Sequence, residues 1–338
     1  MQENVDLQAL NTFGLRARAR WFCVVNSESD LQEGLQFAEK KSLPVFVLGG
    51  GSNILLRADV PGLVLHMQMK GIQLLSQEQG VVDVEAACGE NWHGFVSHCL
   101  MQGWHGLENL ALIPGSVGAA PIQNIGAYGV EVCERIFSVT VFNTESGKTE
   151  TLGAAQCGFG YRDSVFKRQY KGSRIVLRVV FRLHSTAVVN VSYAALGQAL
   201  ENNPTPSPAD VFAAVSAIRR GRLPDPQELG NAGSFFKNPV ISSAQFAALQ
   251  QRFPDLPGYG VAGDAGAIVK VPAAWLIERA GWKGRRLGQA GVYARQSLVL
   301  VNHGAASAQD IVGLARAIMA DVENLFAIAL EPEVQWVP

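Results

Sequence analysis

LENLALIPGSVGAAPIQNIGAYGV, residues 107–130, is the stretch on which the reading of this chain turns. It is rich in Gly, Ala and Pro, yet it is neither charged nor of low complexity. Gly and Pro disfavour the interiors of helices and strands, so the stretch is awkward as either. Small residues at this density let backbone approach another group closely. The inner part, IPGSVGAAPIQNIGAYG (113–129), offers Ser116, Gln123 and Asn124 as polar groups along an extended ligand such as a nucleotide. The alternative is a packed Ω-like loop. A loop this long and this rich in small residues is entropically costly unless something orders it, which favours the ligand.

Working outward, WFCVV (21–25) reads as a short strand. SESDLQEGLQFAEKK (27–41) follows, with Leu31, Leu35 and Ala38 at helical spacing behind serines placed to cap. PVFVLGGGSN (44–53) is then an apolar strand running into a glycine turn, so the chain opens as β-α-β. Glycines after a strand permit positive φ, and successive N–H groups can converge on an anion such as a pyrophosphate. A tight turn explains Gly49, Gly50, Gly51, Ser52 and Asn53 about as well. The run is not a dinucleotide G-x-G-x-x-G, because Ile54 stands where the last glycine belongs, and no G-K-[ST] follows to make a P-loop.

Strand-like runs recur at GLVLHM (62–67), VVDVEAAC (81–88), 136–143 and 175–183. ADVFAAVSAIRR (209–220) reads as an amphipathic helix behind a polar, Pro-containing boundary, ENNPTPSP (201–208). A further unit begins near residue 222. It holds a helix opened by Pro272 (PAAWLIERAG), a strand (SLVLVN, 297–302) and a long helix starting at Ser307. That helix carries Ile311, Leu314, Ala315, Ile318, Val322 and Leu325 on its apolar face. There is no internal repeat and no βαβ alternation throughout, which points to α+β domains rather than one doubly wound sheet.

Composition narrows the function classes. Hydrophobic residues make up 48% and charged residues 17%, as in ordinary globular chains. The net charge is −1 and the densest basic cluster is RRGR (219–222), so nothing supports a nucleic-acid surface. The five cysteines (23, 88, 99, 133 and 157) are odd in number and form no C-x-x-C, which fits a reducing compartment and argues against a zinc site. The N-terminus lacks the order of a secretory signal, and no apolar run reaches the ~20 residues a membrane span needs. A cytoplasmic protein is expected.

Three short motifs carry chemistry-bearing side chains. In Tyr161-Arg162-Asp163-Ser164 the arginine suits a carboxylate or phosphate, and a local Arg–Asp pair is the plainer account. GNAGSFFKNP (230–239) places Ser234 before two rings. It is no G-x-S-x-G elbow and has no nearby histidine. A serine hydroxyl can instead donate a proton to a carbanion, or simply serve a turn. In Glu331-Pro332-Glu333-Val334 a proline stiffens the segment between two glutamates, which composition alone would leave solvated. The histidines at 66, 93, 98, 105, 184 and 303 lack metal-pair spacing and read as structural or surface residues.

The order of the motifs says more than any one of them. NTFGLRARA, VLGGGSNILL, the 107–130 stretch, YRDSVFK, RLPDP, GNAGSFFKNP, AAWLIERAGWKG and LEPEV together resemble the UDP-N-acetylenolpyruvoylglucosamine reductase family, from about residue 11 to 335. The Tyr193 region and the insert around Tyr259 make the chain similar to the first of the family's two types. The resemblance implies a vanillyl-alcohol-oxidase-like (PCMH-type) FAD-binding fold plus a C-terminal α+β substrate domain. The divisions expected are 1–70 and 71–205 for two FAD-binding subdomains, 206–330 for the substrate domain, and 331–338 for a segment returning to the active site. FAD is then held by Gly49, Gly50, Gly51, Ser52, Asn53, Ile113, Pro114, Gly115, Ser116, Gly118, Ala119, Gln123, Asn124, Gly126, Ala127, Tyr128 and Arg219. The catalytic residues fall on Arg162, Ser234 and Glu333. Substrate contacts fall on Tyr193, Arg222, Asn238, Tyr259, Lys283 and Gln296, with Arg222 where the family often has lysine.

The implied reaction belongs to peptidoglycan precursor synthesis. Hydride passes from NADPH by way of FAD to the outer vinyl carbon of UDP-N-acetylenolpyruvoylglucosamine. Arg162 and Glu333 steady the enolate-like charge, and Ser234 protonates the adjoining carbon to give UDP-N-acetylmuramate. Such an enzyme is expected to be a monomer without membrane or nucleic-acid partners. The chain stops three residues after Gln335, which implies a shortened closing strand. Two rivals remain at this stage: a flavin oxidase acting on an alcohol or sugar, and a non-catalytic nucleotide-sugar binding protein.

Overall fold

Ser27 starts the first helix, Glu28–Lys40, by a reciprocal cap. Its hydroxyl accepts the Asp30 N–H at 3.1 Å, and the Asp30 carboxylate accepts the Ser27 N–H at 2.9 Å. The same Ser-x-x-Asp device opens the helices Pro208–Arg222 (Ser207, Asp210) and Ala308–Phe326 (Ser307, Asp310). These boundaries come from a computed structural model, which describes residues 1–260 and 266–338. The described residues form two compact units. One comprises Met1–Asp6, Arg18–Gly51 and Asp59–Gly221; the other comprises Leu7–Ala17, Ser52–Ala58 and Arg222–Pro338.

The first unit holds a sheet in the order Gln2–Asp6, Arg18–Val25, Val60–Met67, Val45–Leu48. The last three strands are parallel, and the Glu28–Lys40 helix makes the crossover. Leu31 and Ala38 of that helix are buried in the same core as Val25, Leu63 and Leu65. Gly62 must be glycine, because a Cβ there would stand 1.9 Å from the Pro44 carbonyl oxygen. The second sheet is wholly antiparallel, in the order Lys148–Gly153, Ile136–Asn143, Arg174–His184, Val81–Ala87, Ile72–Glu78. Trp92 and Phe95 of the helix Trp92–Met101 meet Phe181 of this sheet at 5.9 and 4.8 Å between ring centroids. Cys88, Cys99 and Cys157 are buried here, and burial pushes Cys88 to about 12 and Cys157 to about 11. Buried and held protonated, these thiols serve as packing groups.

The second unit has a four-stranded sheet, Gly230–Ser234, Val299–Asn302, Ala290–Val292 and Arg286–Leu287, and a three-stranded one, Val240–Ser242, Ile268–Lys270 and Tyr259–Gly260. The Ala308–Phe326 helix supplies Ile311, Leu314, Ile318 and Val322 to its core. Leu325 departs from the expected apolar face: it is 41% exposed, and Phe326 takes the buried place at the helix end, with Val312 buried nearer the start. The NTFG motif is structural. Asn11 donates to the Leu7 and Leu15 carbonyls at 2.9 Å and accepts the Leu15 N–H at 3.0 Å, closing a tight loop. Asn302 and Asn231 bond the carbonyls of Phe13 and Thr12 at 2.9 Å, so this loop is tied to the GNAGS strand.

Candidate functional site

The expected flavin residues from 49–51 and 113–128 lie in the first unit. There the two small-residue loops touch. A Cβ on Gly49 would sit 2.8 Å from Ser116 Oγ, and one on Gly50 would sit 3.0 Å from Gly115 Cα. At Gly50 backbone meets backbone, and at Gly49 backbone meets the Ser116 hydroxyl. Gly118 is packed as closely, since its Cβ would fall 2.5 Å from Cys88 Cβ. Val117, the one bulky residue between Gly115 and Ala120, is fully buried. The loops are thus reduced to main chain and the Ser116 hydroxyl, a lining that suits the pyrophosphate of a dinucleotide cofactor. The residues present fit FAD in that respect.

The 113–129 loop is ordered by the protein itself. Trp92 N–H bonds the Gly115 carbonyl at 3.0 Å, and Ser164 Oγ bonds the Ile122 carbonyl at 2.6 Å. Asn124 is fully buried with φ +46°. Its amide donates to Glu131 Oε2 at 2.8 Å and to the Gly160 carbonyl at 3.0 Å, and its oxygen accepts the Cys133 N–H at 3.0 Å. The Asn124 side chain therefore serves the loop from within. The entropic argument for a ligand loses its force here, and the close glycine approach carries the reading instead.

Arg162 has φ +53° and rests its guanidinium on the same loop, donating from Nη2 to the Gly126 carbonyl at 2.7 Å. Asp163 pairs with Arg168 at 3.2 Å. Arg219 donates to the Leu112 carbonyl at 3.2 Å and also hydrogen-bonds the Tyr128 phenol. Tyr193, at the start of the helix Ala194–Ala199, is 45% exposed and meets Tyr128 edge-on at 5.3 Å.

Ser52, Asn53, Ser234, Glu333 and the remaining substrate residues lie in the second unit. Ser234 ends the Gly230–Ser234 strand at an irregularity, where the ladder to Val299–Asn302 slips between Asn231 and Ser234. Gly233, with φ +68°, makes the slip, and the Asn231 side chain pins it by accepting the Gly233 N–H at 2.9 Å. Bulges of this kind re-aim side chains at active sites. Phe235, fully buried behind Ser234, accepts the Glu333 N–H at 2.8 Å. Asn53 Nδ2 donates to the Glu333 carbonyl at 3.3 Å, and the Asn53 carbonyl accepts the Gln335 N–H at 2.9 Å. Ser234 and Glu333 are so brought together on one bonded framework. The two glutamates differ: Glu331 is exposed and paired with Lys237, while Glu333 is half-buried.

Arg222, Tyr259, Lys283 and Gln296 line one cavity of ≈ 330 Å³ in this unit. Asn238 is not among its lining residues; its Oδ1 accepts the Ala273 N–H at 3.0 Å and so starts the helix Ala273–Arg279. Sequence reasoning passed over Trp275, Glu278 and Arg295, which line the same cavity. Glu278 holds Lys283 by two bonds of 2.9 and 3.0 Å. The five-residue spacing of that pair was the available signal. No group of His, Cys, Asp and Glu able to hold a metal occurs among the described residues.

Fold and site together define an α+β flavoprotein with a glycine-lined cradle, and residues 19–153 match the FAD binding domain family. Residues 225–337 match the UDP-N-acetylenolpyruvoylglucosamine reductase C-terminal domain family. The chain belongs to the UDP-N-acetylenolpyruvoylglucosamine reductase family. It is 50% identical to the protein of that name from Chromobacterium violaceum, over 98% of this chain and 97% of the relative. The counterpart in Paraburkholderia xenovorans is 49% identical over 97% and 95%. Among solved structures, the UDP-N-acetylenolpyruvylglucosamine reductase from Thermus caldophilus superposes with TM-score 0.69 at 25% identity, covering 99% of this chain and 98% of that one.

Proposed function

We propose that this protein reduces UDP-N-acetylenolpyruvoylglucosamine to UDP-N-acetylmuramate, with NADPH as hydride donor and FAD as carrier, in peptidoglycan precursor synthesis. One observation carries the reading beyond family membership. A serine on a glycine-made bulge and a half-buried glutamate share one bonded framework through Phe235 and Asn53. That suits proton delivery to carbon.

Bound FAD would supply two-electron hydride chemistry between the two substrates. Gly49, Gly50, Gly51 and the 113–128 loop would hold it, with Tyr128 and Arg219 at the loop's ends. As hydride reaches the outer vinyl carbon, negative charge grows on the carbon beside the carboxylate. Arg162 lowers the cost of that charge by its fixed positive fork. Glu333 steadies the same group, either in its protonated form or through Arg162 or a water. Ser234 Oγ gives its proton to the carbon, a step worth roughly 10²–10⁴-fold in rate. Arg222 and Lys283 bind the diphosphate, with Tyr259 and Gln296 in the same cavity and with Asn238 and Tyr193 as further substrate residues. The FAD-binding subdomains 1–70 and 71–205 each contain one sheet of the first unit, with 206–330 for the substrate and 331–338 returning Glu333. No helix among the described residues is long and apolar enough to cross a membrane. We take the enzyme to act as a cytoplasmic monomer.

The test is anaerobic. NADPH should bleach the flavin absorbance of the purified protein, and UDP-N-acetylenolpyruvoylglucosamine alone should restore it. Flavin that reoxidises only with O₂, and ignores the enolpyruvyl sugar, would make the protein an oxidase. A colourless protein that takes up no FAD would make it a binding protein.

A further inference from the structure

Leu112 precedes the loop read as a flavin cradle, and its backbone is left-handed, with φ +58°. A residue with a Cβ resists that conformation. Both of its main-chain polar groups are gripped by side chains. The N–H donates to His93 Nδ1 at 3.0 Å, and the carbonyl accepts from Arg219 Nε at 3.2 Å. The two side chains come from different helices, Trp92–Met101 and Pro208–Arg222. The His93 ring is itself fixed by stacking on Phe212 of the second helix, at 5.3 Å and 13° between planes.

We propose that His93 is a positioning residue for the flavin loop: as a neutral acceptor it holds Leu112 left-handed, and so sets the direction in which Ile113–Ser116 leaves toward Gly49 and Gly50. The proposal rests on reading that loop as the FAD cradle. An Nδ1 that accepts an amide proton leaves the ring proton on Nε2. A protonated ring would turn a donor against the Leu112 donor and break the grip. The charged groups facing His93 are Arg219 and Arg220, both on the Pro208–Arg222 helix, and burial together with these cations pushes its pKa down. The gripped segment 107–112 carries one carboxylate, Glu108, which is turned to His105 and the Gly106 N–H. The grip is therefore firm at neutral pH and yields to acid. Once the loop loosens, His93 regains its ordinary pKa of about 6.5 and takes up a proton below it.

Flavin fluorescence can follow FAD dissociation from the full-length holoenzyme across pH. Wild-type affinity should fall as pH drops below about 6.5. His93→Asn keeps an acceptor in place but cannot titrate, so its affinity should stay within about threefold of wild type at neutral pH and lose the acid slope. His93→Ala should bind FAD about tenfold more weakly at neutral pH. Leu112→Gly removes the conformational resistance, so adding His93→Ala to it should cost less than about threefold. The proposal fails if His93→Ala binds FAD like wild type, or loses equally with and without Leu112→Gly. Should His93→Ala not fold, an acid slope retained in His93→Asn overturns it alone. A wild-type protein that binds no FAD at any pH would count against the flavin reading itself.

Discussion

Asn53 was expected in the flavin cradle, yet its side-chain amide donates to the carbonyl of Glu333, so Asn53→Ala should slow the sugar half-reaction more than it weakens FAD binding. The lost bond is long, at 3.3 Å. A neutral hydrogen bond of this kind contributes about 0.5–1.5 kcal/mol, equivalent to about a 2- to 12-fold loss of correctly placed Glu333. The loss is bounded because two main-chain bonds remain: Glu333 N–H to the Phe235 carbonyl at 2.8 Å and Gln335 N–H to the Asn53 carbonyl at 2.9 Å. Asn53→Asp should be worse, since it sets an acceptor against an acceptor. Leaving such a group unsatisfied costs about 1–3 kcal/mol, or about 5- to 150-fold.

The assay is stopped-flow in two halves on flavin-saturated enzyme. Flavin bleaching by NADPH should keep its wild-type rate in both variants. Reoxidation by the enolpyruvyl sugar should fall in the order wild type, Asn53→Ala, Asn53→Asp. A variant that loses FAD but, once saturated, reoxidises at the wild-type rate would refute the argument and return Asn53 to the cradle.

Ser234→Ala should leave flavin bleaching by NADPH intact and slow reoxidation by the sugar by roughly 10²–10⁴-fold; an unchanged reoxidation rate would move the proton donor elsewhere. Asp30, Asp210 and Asp310 are held below the ordinary carboxylate range, Asp30 and Asp310 first by a backbone N–H and Asp210 first by its serine hydroxyl. Depressed carboxyls contribute stability that is full above their unfolded values and lost as pH falls through their folded ones. The triple variant Asp30→Asn, Asp210→Asn, Asp310→Asn should therefore be less stable than wild type at neutral pH, and the gap in thermal midpoint should close in strong acid.

Local features were legible. The period of Leu31, Leu35 and Ala38 and the capping serines give the Glu28–Lys40 helix to within a residue, and the apolar runs give the strands Ile136–Asn143 and Arg174–His184. What escaped sequence reasoning is non-local or without pattern. Gln2–Asp6 is a strand of mainly exposed residues, so no alternation marks it. Leu7–Ala17 and Ser52–Ala58 join the C-terminal unit by bonds that span most of the chain: Asn231 N–H to Thr12, Asn302 to Phe13, and the parallel register Gln335↔Ile54, Trp336↔Leu55, Val337↔Leu56. No window of sequence contains both partners. His93 was expected only as one of several structural or surface histidines, and its particular role escapes sequence because its partner is a main-chain N–H, which carries no residue identity.

Residue type also gives a different kind of information from role. Asn124 sits inside the right loop and is the right chemistry to touch a nucleotide, yet its amide is spent on Glu131, Gly160 and Cys133. Asn53 sits beside the right glycines and reaches Glu333. In both cases the amide satisfies backbone or carboxylate groups that a loop of small residues cannot satisfy for itself, because Gly and Ala bring no polar side chains. A loop lean enough to let backbone approach a cofactor must import its internal hydrogen bonds from a few Asn, Ser and Arg side chains. That explains why Asn124, Ser164, Arg162 and His93 all end on main-chain groups of residues 112–133. The polar residues of such a loop are thus committed first to its shape, and its glycines are the better guide to where the ligand lies.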